Sequence, residues 1–459
     1  MADILHLRNG STVKVEQWWE QEGEIRYRRA GGIIGIPKSQ VARIEATARA
    51  APAPRPVPPP TSVAQVGGPD APSYAPLPQP PLPPQSVPAR LSSDPAVWRA
   101  RLKVLEPAIG RPNVHEAPAR REAAILLTLL GNDAARAGDL DGAEASYRLA
   151  QDKDPNLPAP LLNLARVRMT QGRDSDAENL IQDALALAPD DPIGLALLGE
   201  VAYRTDRLPE AIDLWEQSLR NEPDADLAAR LEKARRQLTA EQDFFRSGAP
   251  HFTLKYDGDR ASSDLSREIL DHLEAQFADL TSRYNVYPAS VIIVTLYSRE
   301  TFYDVTQSPR WVGGLFDGQI RIPIGGLTRL TGEARSVFTH EFTHCIVYHK
   351  THNNCPKWLQ EGIAQWQEGK TTRHVERDLA KKYAGATPAD LDAEFSYPLS
   401  LSLLEHFFKT YSFSHLLDLL DALGRGSDID AAFQSSTGQG FAEFEAAWIR
   451  EIAAAGGGS

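Results

Sequence analysis

Apolar and polar residues alternate with a period of two through the first 46 positions. Ile4-Leu5-His6-Leu7 and Thr12-Val13-Lys14-Val15 flank Asn9-Gly10, a strong hairpin signal. Glu24-Ile25-Arg26-Tyr27 and Ile33-Ile34-Gly35-Ile36 continue the alternation, and Val41 to Ile44 close it. Five short strands over 3–46 predict a small closed β unit. Residues 47–92 break the pattern with Pro56, Pro58, Pro59, Pro60, Pro80, Pro81, Pro83 and Pro84 among alanines. Such a stretch buries no core and predicts an extended linker.

From residue 95 the spacing becomes helical, and from about Glu122 it repeats every 34 residues. Ala143, Ala177 and Ala211 recur at that interval, as do Pro155, Pro189 and Pro223. A large residue follows each alanine (Tyr147, Ile181, Trp215), and a small one sits in each first helix (Gly131, Ala165, Gly199). Small residues let paired helices approach, and the proline ends each unit. The pattern resembles the tetratricopeptide repeat. Three repeats are expected over 124–225, with a capping helix from Asp226 to Phe245 and one or two helices before, so that the array spans 95–245. The resemblance implies a concave groove for a peptide or protein partner; the alternative is a spacer. The β unit ahead of it resembles the small SH3-like barrels at the N-termini of bacterial envelope proteins, as a docking module or an appendage.

Beyond residue 248 the pattern mixes both periods. Strands are expected at His251 to Tyr256 and Val291 to Leu296, with an amphipathic helix at Ser263 to Tyr284 between them. Gly313 to Gly318 reads as a turn, and Gln319-Ile320-Arg321-Ile322 as a strand that Pro323 confines to an edge or a strand end. Helical segments follow near 376–384, 399–410, 413–423, 428–436 and 440–453.

One stretch carries chemistry. His340-Glu341-Phe342-Thr343-His344 is an H-E-x-x-H motif inside a helical run. A helix turns about 100° per residue, so His340 and His344 share a face and can offer two imidazoles to one metal ion. Glu341 sits one position round, within reach of a metal-bound water. Downstream, Asn354-Cys355-Pro356-Lys357-Trp358-Leu359-Gln360-Glu361-Gly362-Ile363-Ala364 reads as a helix opened by Pro356. Glu361 falls among apolar residues, where a carboxylate is costly unless paired or metal-bound. A surface glutamate is the plainer alternative.

The pair H-E-F-T-H and C-P-K-W-L-Q-E-G-I-A resembles the gluzincin clan of zinc peptidases, and within it the bacterial peptidase MA-like group. The resemblance covers roughly Gly248 to Ile452, and the domain it implies spans 248–455. It implies a two-lobed α+β domain and one Zn²⁺ per chain on His340, His344 and Glu361, with Glu341 as general base. It also implies hydrolysis of a peptide or protein substrate, as an endopeptidase. The G-x-M-E-N segment of the clan's large aminopeptidases is absent, which argues against that activity. Tyr397, or failing it His406, is the candidate donor to the oxyanion. Glu368, Asp392 and Glu394 are candidate partners for the second nitrogen of a ligating histidine. His349 and His352 lie off the metal face and read as surface or loop residues. Resemblance also suggests that Gln319, Ile320, Arg321 and Ile322 form a substrate-binding edge strand; an ordinary edge strand is the alternative.

Composition adds three points. The 459 residues imply several domains, and the multidomain α+β reading uses them all. A net charge of −12 argues against nucleic acid as a partner. No apolar run is long enough for a transmembrane segment. The only cysteines, Cys345 and Cys355, flank the loop between the two metal-bearing helices. A disulfide between them is expected, with two buried thiols or metal thiolates as alternatives. Met1-Ala2 runs straight into strand-like residues, and the chain closes Gly456-Gly457-Gly458-Ser459. Both ends read as engineered, with any export signal removed. A periplasmic or secreted location is expected, with the cytoplasm left open. Two functions compete: an active zinc peptidase served by its repeats, and a scaffold whose zinc domain is catalytically retired or cleaves one partner only.

Overall fold

In a computed structural model, the described residues are 3–7, 12–15, 18–21, 24–29, 32–45, 94–109, 116–257, 263–308, 312–324, 327–383, 385–392 and 395–457. The chain divides into two compact units, residues 1–62 and 63–459. The Asn9-Gly10 turn and the linker at 47–92 lie outside the described residues.

The first unit holds β1 (Asp3–Leu7), β2 (Thr12–Val15), β3 (Trp18–Gln21), β4 (Glu24–Arg29), β5 (Gly32–Pro37) and β6 (Val41–Glu45). They form two antiparallel sheets in the orders β2-β1-β6 and β3-β4-β5. Leu5 and Ile25 are buried. The strand missing from the sequence reading is β3. Its adjacent Trp18 and Trp19 break the alternation, and pairing with Tyr27 and Arg26 of β4 makes it a strand.

The second unit opens with α1 (Pro95–Leu105), α2 (Glu116–Arg136), α3 (Leu140–Lys153), α4 (Pro158–Thr170), α5 (Asp174–Leu187), α6 (Pro192–Arg204), α7 (Leu208–Asn221) and α8 (Ala225–Glu241). Asp139, Asp191 and Asp224 cap α3, α6 and α8 by accepting from first-turn amides, and proline opens α4 and α6. The small and large positions of the repeat meet. A Cβ on Gly131 would stand 2.4 Å from Tyr147 Cε1, and one on Gly199 2.4 Å from Trp215 Cδ1. Each glycine is the space its aromatic partner fills.

After α8 the chain turns to strand: β7 (Phe245–Gly248) pairs antiparallel with β8 (Phe252–Tyr256). The capping helix therefore stops short of Phe245, because a partner strand outweighs the local helical spacing. Then come α9 (Ser263–Tyr284), β9 (Ile292–Tyr297), α10 (Arg299–Thr306), β10 (Leu315–Phe316) and β11 (Ile320–Pro323). The sheet runs β10-β11-β9-β8-β7, with β8, β9 and β11 parallel and both edge strands antiparallel. The remaining helices are α11 (Gly332–Thr351), α12 (Lys357–Gln367), α13 (Glu376–Tyr383), α14 (Pro388–Asp392), α15 (Tyr397–Thr410), α16 (Phe413–Gly424), α17 (Ile429–Thr437) and α18 (Phe441–Gly457). One hydrophobic core joins sheet and helices, from Phe252 and Phe342 through Phe407 to Trp448. No helix among the described residues is long and apolar enough to cross a membrane.

The repeats and the region after them pack on each other. The turns inside the three repeats place Gly138, Gly172 and Asp206 at positive φ (76°, 71° and 62°). Gly138 lies against the backbone of Gly426, Gly172 against the His349 ring, and Asp206 pairs with Lys255 and Arg246. A charged seam seals the third repeat to the sheet. Lys255 also pairs with Glu241, and Lys233 with Asp317. Arg321 Nε reaches Asp317 Oδ1 at 3.2 Å, and its Nη2 donates to Tyr203 Oη at 2.9 Å.

Candidate metal centre

Helix α11 is capped by Thr331, whose hydroxyl accepts from Ala334 N at 3.1 Å. It ends at His352, whose left-handed backbone (φ 50°) stops the helix. Between these it is buried on nearly all sides from Val337 to Tyr348. The i, i+4 spacing brings the His340 and His344 rings to 4.8 Å, at 78° to each other. Helix α12 delivers Glu361 to the same place. On its other side α12 packs closely on α15, because Gly362 has no side chain: a Cβ there would meet Ser400 O at 2.6 Å.

Glu361 Oε2 lies 3.4 Å from His340 Nε2 and 3.6 Å from His344 Nε2. One donor atom from each of the three residues lies within 4.8 Å of the other two. Two ligands bound tetrahedrally to zinc at 2.0–2.1 Å stand about 3.3 Å apart. His340 Nε2 and Glu361 Oε2 are both buried with no hydrogen-bond partner. Buried orphan atoms are rare in folded proteins, and a cation between them would satisfy both. The donor set and its spacing fit zinc.

The electrostatics agree with a cluster short of positive charge. Burial works against the His340 cation, but Glu361 and Glu368 hold its pKa at about 10. Burial lowers His344 to about 4. Burial also opposes the Glu361 carboxylate, yet His344 and His340 keep it below its ordinary range. Glu341 is pushed up by burial to about 8, against the pull of His340. Its Oε1 is buried and without a partner. Gly314 backs directly onto it, where a Cβ would stand 2.4 Å from Oε1.

Of the three carboxylates considered for the second histidine nitrogen, Glu368 takes the place: its Oε1 lies 3.2 Å from His340 Nδ1 and 2.6 Å from Lys370 Nζ. Glu394 and the side chain of Asp392 lie outside the described residues. Tyr397 is the first residue of α15 and buried, and Glu361 and Glu341 add to the effect of burial in raising its pKa. His406 is elsewhere, paired with Glu451 at 2.6 Å. His349 lies within α11, against Gly172, and His352 is in the turn that follows α11, where its Nδ1 bonds Gly424 O at 2.9 Å.

Two expectations are corrected. Gln319, Ile320, Arg321 and Ile322 are not an open edge. Strand β11 lies between β10 and β9, all four residues are buried, and Gln319 donates to Tyr203 O at 2.9 Å. The edge strand is β10, beside Gly314 and Glu341. Sequence reasoning took Gly313 to Gly318 for a turn, and two residues of strand give too short a pattern to register; the paired glycines before it were the available signal. Cys345 and Cys355 are free thiols, not a disulfide. Both pack into the hydrophobic core, and burial raises both pKa values.

The family model for the tetratricopeptide repeat matches residues 134–201. With the helix pairs α2 to α7, this defines the array: the chain carries tetratricopeptide repeats. It is 30% identical over 117 residues to cellulose synthase operon protein C of Pseudomonas fluorescens (strain SBW25), a stretch covering 26% of this chain and 9% of that protein. Among solved structures, the first repeat domain of Spaghetti (RPAP3), bound to an HSP90 peptide, is 25% identical. It covers 26% of this chain and 98% of its own, with a TM-score of 0.26. A thermophilic repeat protein of Thermus thermophilus is 24% identical, over 31% of this chain and 81% of its own, with a TM-score of 0.22.

Proposed function

We propose that this chain is a tetratricopeptide scaffold carrying a zinc-dependent peptidase centre. The observation that supports the reading most is the buried convergence of His340, His344 and Glu361, with partnerless donor atoms facing one another. Zinc held by these three residues would polarise a carbonyl and lower the pKa of a water to about 7. Glu341 would take a proton from the attacking water at its carboxylate and give it to the leaving amine. Glu368 fixes the His340 ring through Nδ1. The Tyr397 hydroxyl donates to the developing oxyanion. The open edge of β10 receives the extended substrate by strand addition. The two small sheets of the first unit support an SH3-like docking module.

A second reading is favoured by the family model, which matches within the repeats: an interaction scaffold with a retired centre. Elemental analysis of the purified chain, beside a Glu361→Ala variant, tests the site. The expected result is about one zinc per chain, lost in the variant. A folded chain that takes up no zinc on reconstitution overturns the peptidase reading and leaves the scaffold.

A further inference from the structure

Glu341 is 1% exposed and its Oε1 is buried. Its cover is the backbone of Gly314, where a Cβ would stand 2.4 Å from Oε1 and 2.8 Å from Cδ. A substrate chain passing Glu341 needs the space that this backbone fills. Gly314 belongs to a short segment, 312–316, that ends in β10. Strand β10 is the edge of the sheet and is joined to it by two residue pairs, Leu315 with Arg321 and Phe316 with Ile320. Val312 and Leu315 are buried, but apart from the main core. They pack in a small cluster with Tyr297, Phe302 and Val305, bordered by Ala240 of α8 and by Phe244 just after it.

The polar side chains that follow recur with the period of a strand, and all three reach the repeat array. Asp317 pairs with Lys233 of α8. Gln319 donates to Tyr203 O of α6 at 2.9 Å and accepts from Gln237 Nε2 of α8 at 3.4 Å. Arg321 donates to Tyr203 Oη at 2.9 Å. Gln319 and Arg321 fix β11 from behind. Arg321 also holds Asp317 from within the hairpin, so Lys233 is the tie between the end of the segment and the array. We propose that residues 312–316 are an inhibitory strap over Glu341, fastened to the array by Lys233 at Asp317, and that a shift of α8 admits the substrate. The inference rests on the metal-centre reading. Lys233 is a positioning residue, acting on Glu341 through Asp317 and Gly314. The strap carries the β10 edge, so the segment that covers the centre is also the one that pairs with an incoming strand once raised. A protein partner that binds the array and draws α8 away would open the centre.

Amide hydrogen exchange on the full chain, and zinc transfer from the loaded chain to excess EDTA, test it. In Lys233→Met, exchange over 313–317 should rise about tenfold, because a hydrogen bond to a charged group is lost from the closed state alone. Exchange in β8 and β9 should stay at the parent's rate. Zinc transfer should quicken by a similar factor, since the strap covers the chelator's approach beside Glu341. Lys233→Arg keeps the cation and should bring both rates back toward the parent's. Arg235→Gln removes a cation from the exposed side of the same helix, where it pairs with Glu216 and Glu232, and should change neither rate. Unchanged exchange in Lys233→Met, or an equal rise in Arg235→Gln, overturns the strap. Faster exchange with unchanged zinc transfer leaves a tied segment that guards nothing and overturns it as well. A folded parent that takes up no zinc by elemental analysis overturns the metal reading, and the strap's role with it, and is told apart from the other outcomes before any variant is made.

Discussion

Asp317 and Glu341 are carboxylates buried in the same unit, and burial leaves them in opposite states. Burial penalises Asp317, but Arg321 and Lys233 face it and hold its pKa at about 2. Burial penalises Glu341 as well, only His340 opposes it, and its pKa climbs to about 8. The first belongs to a seam in which Lys233, Lys255 and Arg321 face Asp206, Glu241 and Asp317. The second belongs to a cluster in which the raised pKa of His340 is set by Glu361 and Glu368, and Glu341 Oε1 has no partner. A buried charge supplied with its counter-charge is finished structure; one left short is a place prepared for something else.

The largest expected effect is on catalysis. Glu341→Gln should keep its zinc, by elemental analysis, and lose on the order of 10²–10⁴-fold in peptide hydrolysis. Undiminished turnover would remove Glu341 from the role of base. Next comes the seam. Arg321→Met leaves Asp317 buried beside one fewer cation and should cost about 3–5 kcal/mol in urea unfolding. A cost near zero would dissolve the contrast between the two clusters.

The pH dependence sharpens it further. Without metal, the folded pKa of Glu341 is raised, so the stability it has at low pH is lost as pH rises toward about 8. The metal-free Glu341→Gln chain should match its parent near pH 4 and exceed it by about 1–3 kcal/mol at pH 8. Asp317 is depressed, so the sign reverses. The parent's advantage over Asp317→Asn should be full above about pH 4 and fade as pH falls toward 2. Parallel curves for the two variants would refute the assignment. The smallest effect is an expected null. Cys345 and Cys355 are already complete as packed thiols, so a reducing agent should leave the melting temperature unchanged.

The elements most legible in the sequence are those whose partners lie close along the chain. The repeat needs only its own period, and Gly131 with Tyr147 or Gly199 with Trp215 can be read 16 residues apart. The H-E-x-x-H spacing is a property of one helix. Arg321 shows where legibility stops. Its strand alternates as an edge strand would, and although Asp317 is four residues away, nothing local says that Tyr203 closes the seam over it. Glu368 could be named as one of three options, and choosing it needs the distance to His340 Nδ1. The cysteines flank a loop that invites a bridge, and only the packing of two helices shows the thiols apart.

The three repeat turns have one more consequence. Repeat arrays are commonly lengthened or shortened by duplication or deletion of whole units, since each unit touches only its neighbours. Here Gly138, Gly172 and Asp206 each rest on a different seat, at Gly426, His349 and Lys255. A unit inserted after the first repeat would carry every later turn one seat along, so that Gly172 would come to the Lys255 seat and leave that amine without its carboxylate, and Asp206 would pass beyond it. The copy number of this array is therefore frozen by the surface it lies on, like a key cut to a single lock.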